Sequence, residues 1–206
     1  MQLPCFYPIF DSSEWLARLV PLGIKLVQLR IKDCSEEVLR SEIIEAMKIC
    51  DQYNCTLVVN DYWQLAIELG CKWVHLGQED LEAANVAEIK KAGLKLGIST
   101  HDETELQIAL QQQPDYIALG PVYPTILKKM KWHEQGLEKV SEWKQKIGTI
   151  PLVAIGGMSV ARASGAFDAG ADIVSAVTDI TLHEHPEKRV KQWIEACNTA
   201  NRVANT

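Results

Sequence analysis

The chain has 206 residues, 47% hydrophobic and 23% charged, a length and composition suited to one domain spanning 1–206 with a single well-buried core. Its net charge of −6 excludes the basic footprint of a nucleic-acid binder, and no apolar run approaches the roughly 20 residues that would let a helix partner a membrane. The opening "MQLPCFYPIF" lacks a charged n-region and a small-residue cleavage site, and six cysteines lie scattered without metal-finger spacing, so buried reduced thiols and a cytoplasmic location are expected.

Short apolar runs recur along the chain with amphipathic stretches between them. The first strand is expected at 6–10, "FYPIF", and the second at 25–31, "KLVQLRI". Ser35 then opens a helical pattern as a good N-cap, with Ile43, Ile44, Met47 and Cys50 at i, i+1, i+4 and i+7. Strands follow at 55–60, 73–77 and 95–99, and after "STHDE" the residues Leu106, Ala109 and Leu110 repeat the helical spacing. Three more strands, 116–120, 151–156 and 172–177, complete the series. Each run is near-continuously apolar, as strands buried on both faces must be. Gly23, Gly70, Gly93 and Gly170 each precede a strand, where a helix C-cap belongs. Eight βα units of about 25 residues predict a closed (β/α)8 TIM barrel of the α/β class without long insertions, an open doubly wound sheet being the alternative.

In such a barrel the chemistry sits at the C-terminal ends of the strands. Strand 2 carries Gln28, Arg30 and Lys32 on one face by the period of two, with Leu29 and Ile31 on the other. Strand 3 ends in Asn60 and Asp61, strand 4 in Gln78, Glu79 and Asp80, and strand 5 in Ser99, Thr100 and His101. Strand 6 runs into "PVYPTILKK", strand 7 into Gly156 and Gly157, and strand 8 carries Ser175. Any one of these is ordinary capping; Ser99 or Thr100 alone would serve as an N-cap. Seven consecutive strands aiming polar groups or bare backbone at one rim point to a site.

The mixture has a chemical logic. Arg30, Lys32 and Lys128 are cations suited to phosphate oxygens. Asp61 and Asp80, with no thiol nearby, are hard ligands of the kind Mg²⁺ accepts when phosphates complete its shell. A magnesium diphosphate offers each sign its own partner. The plainer alternative is that Arg30–Asp61 or Lys32–Asp80 ion pairs hold the barrel mouth closed. After strand 7, Gly157 allows close backbone approach, and the helix beginning near Ser159 can point N–H groups at an anion.

The ordered motifs "YPIFDS" (7–12), "VQLRIKD" (27–33), "VNDYWQLAI" (59–67), "VHLGQEDL" (74–81), "LGISTHDE" (96–103), "YIALGPVYPT" (116–125), "QGLE" (135–138) and "VAIGGMS" (153–159) cover nearly the whole chain. In them the sequence resembles the thiamine-phosphate synthase (thiamine-phosphate pyrophosphorylase) family. The resemblance implies a transferase that condenses 4-amino-2-methyl-5-pyrimidinylmethyl diphosphate with 4-methyl-5-(2-phosphoethyl)thiazole, or its carboxylated precursor. The products are thiamine phosphate and diphosphate, reached through a pyrimidine carbocation. Carried over by position, Gln28, Leu29, Arg30, Ile31, Lys32, Asn60, Ser99 and Lys128 bind the pyrimidine diphosphate, and Arg30, Lys32, Lys128 and Ser99 act in catalysis. Asp61 and Asp80 hold one Mg²⁺. Thr125, Ile126, Leu127, Gly157, Val174 and Ser175 form the thiazole-phosphate pocket.

One departure stands out. The family loop typically reads Thr-x-Thr-Lys, whereas here it is Thr125-Ile126-Leu127-Lys128. A missing hydroxyl on the thiazole phosphate is expected to cost roughly 0.5–1.5 kcal/mol, about tenfold in affinity. His75 reads as a satisfied core residue and His101 as a cap or core residue. A thiazole tautomerase is the neighbouring enzymatic alternative, but it has no need of the Asp pair or the Gln28–Arg30–Lys32 array. A catalytically silent barrel that binds thiazole or thiamine phosphate is the other alternative, supported by Leu127 alone. For a homo-oligomer built through outer helices, Trp132, Trp143 and Trp193 are the candidate contacts, with core positions as their other reading.

Overall fold

A left-handed residue stops the helix just before the next strand at Gly23, Gly70, Gly93 and Gly170, whose φ angles are 115°, 73°, 80° and 104°. Those are the four predicted cap positions. The computed structural model describes residues 3–125 and 133–204, the last four of these by backbone alone.

The strands are β1 (Phe6–Phe10), β2 (Leu26–Leu29), β3 (Thr56–Asn60), β4 (Trp73–Leu76), β5 (Lys95–Thr100), β6 (Tyr116–Leu119), β7 (Leu152–Ala154) and β8 (Ile173–Ala176). Each pairs in parallel with its neighbours in the chain, and β8 returns to β1, so the barrel closes. The first half of the helical layer comprises α1 (Ser13–Leu19), α2 (Glu36–Gln52), α3 (Trp63–Glu68), α4 (Gln78–Ala83) and α5 (Val86–Lys91). The second comprises α6 (Glu103–Gln111), α7 (Gly136–Ile147), α8 (Val160–Asp168), α9 (Thr178–Thr181) and α10 (Pro186–Ala204). Ser35 caps α2 as expected, its hydroxyl accepting from the Val38 N–H. At α6 that role falls to Asp102, which accepts from the Glu105 N–H at 2.9 Å, and not to Ser99 or Thr100.

The period of two divides the strand residues between two layers. Leu29, Val59, Val74 and Leu119 face outward into the core beneath the helices, while Tyr7, Leu26, Val58, Tyr116, Val153 and Ile173 fill the barrel. Trp143 and Trp193 are fully buried, which corrects their candidacy as oligomer contacts. A buried indole needs an acceptor for its N–H. Trp143 donates to Thr100 Oγ1 at 2.9 Å, and Trp193 donates to Asp179 Oδ2 at 2.8 Å while stacking on Phe6. Trp132 lies outside the described residues. Among those residues no helix is long and apolar enough to cross a membrane. Cys50, Cys55, Cys71 and Cys197 are buried, and no disulfide forms.

Gly97 sits where the barrel is tightest. The β4–β5–β6 register sets His75, Gly97 and Tyr116 side by side. A Cβ on Gly97 would lie 2.0 Å from Cζ of the buried Tyr116 ring. Gly97→Ala is therefore expected to destabilise the barrel by about 3 kcal/mol. In a domain of this size that lowers the unfolding midpoint by roughly 6–12 °C. Calorimetry checks this; an unchanged midpoint would mean that the ring swings aside freely.

Candidate active site

At the C-terminal mouth the barrel opens into two adjoining cavities of about 510 and 470 Å³. Ile9, Arg30, Ser99, His101 and Ile155 line both and form their common wall. The first lobe gathers Gln28, Lys32, Asn60, Asp61, Gln78, Glu79 and Asp80. The second gathers Thr125, Gly156, Gly157, Ser175, Val177 and Thr178. Most residues expected from sequence thus meet at one mouth. The side chains of Leu29, Ile31 and Val174 turn outward into the helix-covered core, since the pleat that sends Gln28, Arg30 and Ser175 inward sends their strand neighbours the other way. They have only main-chain atoms to offer a ligand. Ile126, Leu127 and Lys128 lie outside the described residues.

The first lobe carries more negative charge than it neutralises. Asp61 follows β3 in the left-handed region, with φ 67°, and its N–H donates to His75 O at 2.9 Å. Its carboxylate accepts from Asn60 Nδ2 at 2.6 Å and is clasped by Lys32. Asp80, in the first turn of α4, has its carboxyl held above the ordinary range by burial and by the neighbouring Asp61, an effect Lys32 partly offsets. Neither ion pair considered from sequence, Arg30–Asp61 or Lys32–Asp80, forms. Lys32 goes to Asp61 instead, and Arg30 has no carboxylate partner among the described residues. Its N–H donates to Phe10 O at 2.8 Å, which carries the β1–β2 ladder to the rim and sets the guanidinium at the common wall.

Two crowded carboxylates with hard oxygens and no thiol fit a divalent cation such as Mg²⁺. Among the described residues no group of three or more His, Cys, Asp and Glu converges to hold a metal. Were such an ion held by Asp61 and Asp80, ligand oxygens and water would have to complete its shell, a coordination Mg²⁺ accepts.

Beneath this lobe runs a hydrogen-bond chain that sequence reasoning missed. Gln28 Nε2 donates to Tyr7 Oη at 2.8 Å, and Tyr7 Oη meets Tyr116 Oη at 2.8 Å. Tyr116 Oη meets His75 Nδ1 at 2.8 Å, and His75 Nε2 meets Ser99 Oγ at 2.7 Å. Tyr7 and Tyr116 have the look of core aromatics in sequence. The available signal was Gly97, since a glycine inside a strand marks a close approach. Burial pushes both phenols above their ordinary range.

Burial pushes the His75 imidazole down from 6.5 to about 4, with Arg30 adding to the effect and Asp61 opposing it. The unfolded chain thus takes up this proton as pH falls below 6.5, and the folded protein only near 4. Stability is therefore lost as pH falls through that window, by about 2 kcal/mol between pH 7 and 5. Urea unfolding at the two pH values should show this loss, and His75→Gln should flatten the dependence. Equal slopes in both proteins would refute it.

The second lobe is built on backbone. Gly157 has φ 63°, and a Cβ there would lie 2.4 Å from Pro124 O, so only glycine fits beneath the loop after β6. Arg162 donates to Gly157 O and lies 4.4 Å from the centroid of the Tyr123 ring, tying the loops after β6 and β7 together. Ser159 occupies the N-cap of α8, although its hydroxyl makes no capping bond. Ser175 Oγ is buried without a hydrogen-bond partner. An unsatisfied buried hydroxyl in a cavity wall is a place for a ligand oxygen. His101 holds its ring and its backbone N–H against Glu105 Oε2, both at 2.7 Å.

Fold and cavity together define a TIM-barrel enzyme with a two-chambered site at the mouth where such barrels work. The family model described as thiamine monophosphate synthase matches residues 7–180. The thiamine-phosphate synthase of Rhizobium etli is 57% identical over 196 residues, 95% of this chain and 96% of that protein. That of Citrobacter koseri is 44% identical over 190 residues, 92% of this chain and 87% of the relative. A solved thiamine phosphate pyrophosphorylase from Pyrococcus furiosus shares the fold with a TM-score of 0.84 at 22% identity, covering 95% of this chain and 96% of its own. The chain belongs to the thiamine monophosphate synthase family and is a transferase of the thiamine-phosphate synthase type.

Proposed function

We propose that the protein joins 4-amino-2-methyl-5-pyrimidinylmethyl diphosphate to 4-methyl-5-(2-phosphoethyl)thiazole, or to its carboxylated precursor, and releases thiamine phosphate and diphosphate. The observation that carries this reading is the pair of lobes with one common wall. One is rich in acids and cations, and the other is built from glycine backbone and an unsatisfied serine hydroxyl. A diphosphate with its metal suits the first, a phosphate monoester the second, and the two organic groups meet between them.

The reaction needs no strong protein nucleophile. Its demands are to take up charge on the departing diphosphate and to hold the partners in line. Asp61 and Asp80 hold Mg²⁺ in this reading, and its chemistry there is to neutralise charge on the leaving group. Arg30 offers its planar fork to the diphosphate oxygens, and Lys32 sits beside it. Ile9 and Ile155 line the common wall and keep water from a carbon that is briefly cationic. Ser175 and the Gly157 backbone receive the phosphate of the thiazole, with Thr125 alongside. A thiazole tautomerase has no use for the acid and cation lobe.

The deciding assay mixes purified protein with both substrates and Mg²⁺ and looks for thiamine phosphate and diphosphate by chromatography. Both products should form, and chelation of the metal should stop them. No product at high enzyme concentration would overturn the reading.

A further inference from the structure

The chain Gln28–Tyr7–Tyr116–His75–Ser99 crosses the barrel interior, and proton counting gives it a direction. A phenol has one proton to donate. The Gln28 amide N–H donates to Tyr7 Oη, so the Tyr7 proton goes to its other partner, Tyr116 Oη, 2.8 Å away. The Tyr116 proton then goes to His75 Nδ1, also at 2.8 Å. A neutral imidazole whose Nδ1 accepts carries its hydrogen on Nε2. That hydrogen points at Ser99 Oγ, 2.7 Å away. The proton of the Ser99 hydroxyl is left over, at the wall common to both lobes.

We propose that Tyr7, Tyr116 and His75, started by the Gln28 amide, are positioning residues that fix Ser99 as an acceptor from the protein and so as a hydrogen-bond donor to the ligand. The opposite polarity would turn the Ser99 proton inward to His75 and offer the ligand only lone pairs. A donor at the junction serves an electron-rich acceptor atom, either a phosphate oxygen of the leaving group or a ring nitrogen. Gly97 is part of the device: with no side chain between His75 and Tyr116, the two rings reach each other across β5. The identity of the ligand rests on the proposed synthesis of thiamine phosphate; the polarity of the chain does not.

The first test reads the ring directly. In ¹⁵N-labelled protein free of substrate, long-range proton–nitrogen correlations of His75 should show the hydrogen on Nε2. A hydrogen on Nδ1 overturns the proposal whether or not the protein makes thiamine phosphate, so the two failures are distinguishable.

The second test is a double-mutant cycle. Tyr116→Phe removes the donor to Nδ1 and keeps the ring, and it should lower kcat about tenfold. In a Ser99→Ala background the same change should alter kcat less than twofold, because the chain acts through Ser99. Additive losses would assign the tyrosine a structural part only and overturn the proposal. The last arm uses inorganic diphosphate and the pyrimidine diphosphate as probes of Ser99→Ala. Weaker binding of both assigns the acceptor as a phosphate oxygen, weaker binding of the pyrimidine compound alone assigns a ring nitrogen, and unchanged binding of both removes Ser99 as a donor.

Discussion

Asp80→Ala is expected to lower kcat/KM by about 10³-fold and to abolish the dependence of the remaining rate on Mg²⁺, because charge neutralisation at a leaving group supplies several kcal/mol. The same substitution should leave the fold intact and raise its stability slightly. Asp80 is held above its ordinary range by burial and by Asp61, so as a carboxylate it repels its neighbour in the folded state. Lys32 already engages Asp61 and remains paired when Asp80 is gone. Activity falling while the unfolding midpoint rises is the mark of a group kept for function at a cost in stability. Rates measured against Mg²⁺ concentration, beside a thermal melt, check both halves. Undiminished turnover would remove Asp80 from the metal site, and a collapse of the fold would show that its carboxylate has a structural partner.

The barrel was legible because its signals are local. Continuous apolar runs mark strands covered on both faces, and glycines such as Gly23 and Gly170 stand where a left-handed cap ends a helix. Much of the site was legible for the same reason: the pleat places Gln28 and Arg30 inside the barrel, and chain direction places the ends of β3, β4 and β5 at one rim. Leu29, Ile31 and Val174, placed at the site by family position, turn their side chains to the helices and leave only main chain toward the mouth. The interior chain was illegible because its partners are far apart in sequence; Tyr7 and Tyr116 are separated by 109 residues. Nothing local tells a tyrosine that packs from one that also relays a hydrogen bond. The choice of Lys32 for Asp61 over Asp80 was hidden likewise, since it depends on how a long side chain crosses the mouth after the strands have closed.

Arg30→Ala is expected to lower kcat/KM for the pyrimidine diphosphate by about 10²–10³-fold, the usual loss when one preorganised donor to a developing negative charge is removed. The comparison with Lys32 sharpens this. Both are cations of the segment that follows β2, but Lys32 is engaged by Asp61, whereas Arg30 has no carboxylate partner among the described residues and lines both lobes. A cation already paired within the protein gives less to an incoming anion, so Lys32→Ala should cost less than Arg30→Ala. Arg30→Lys restores the charge but not the planar fork and should recover only part of the loss. Because Arg30 stands at the common wall, its removal should also weaken inhibition by the product diphosphate. Steady-state kinetics for each substrate, with inorganic diphosphate as inhibitor, measure all three variants. If Lys32→Ala proves the more damaging, the Lys32–Asp61 pair must open on binding and the lysine, not the arginine, must follow the leaving group.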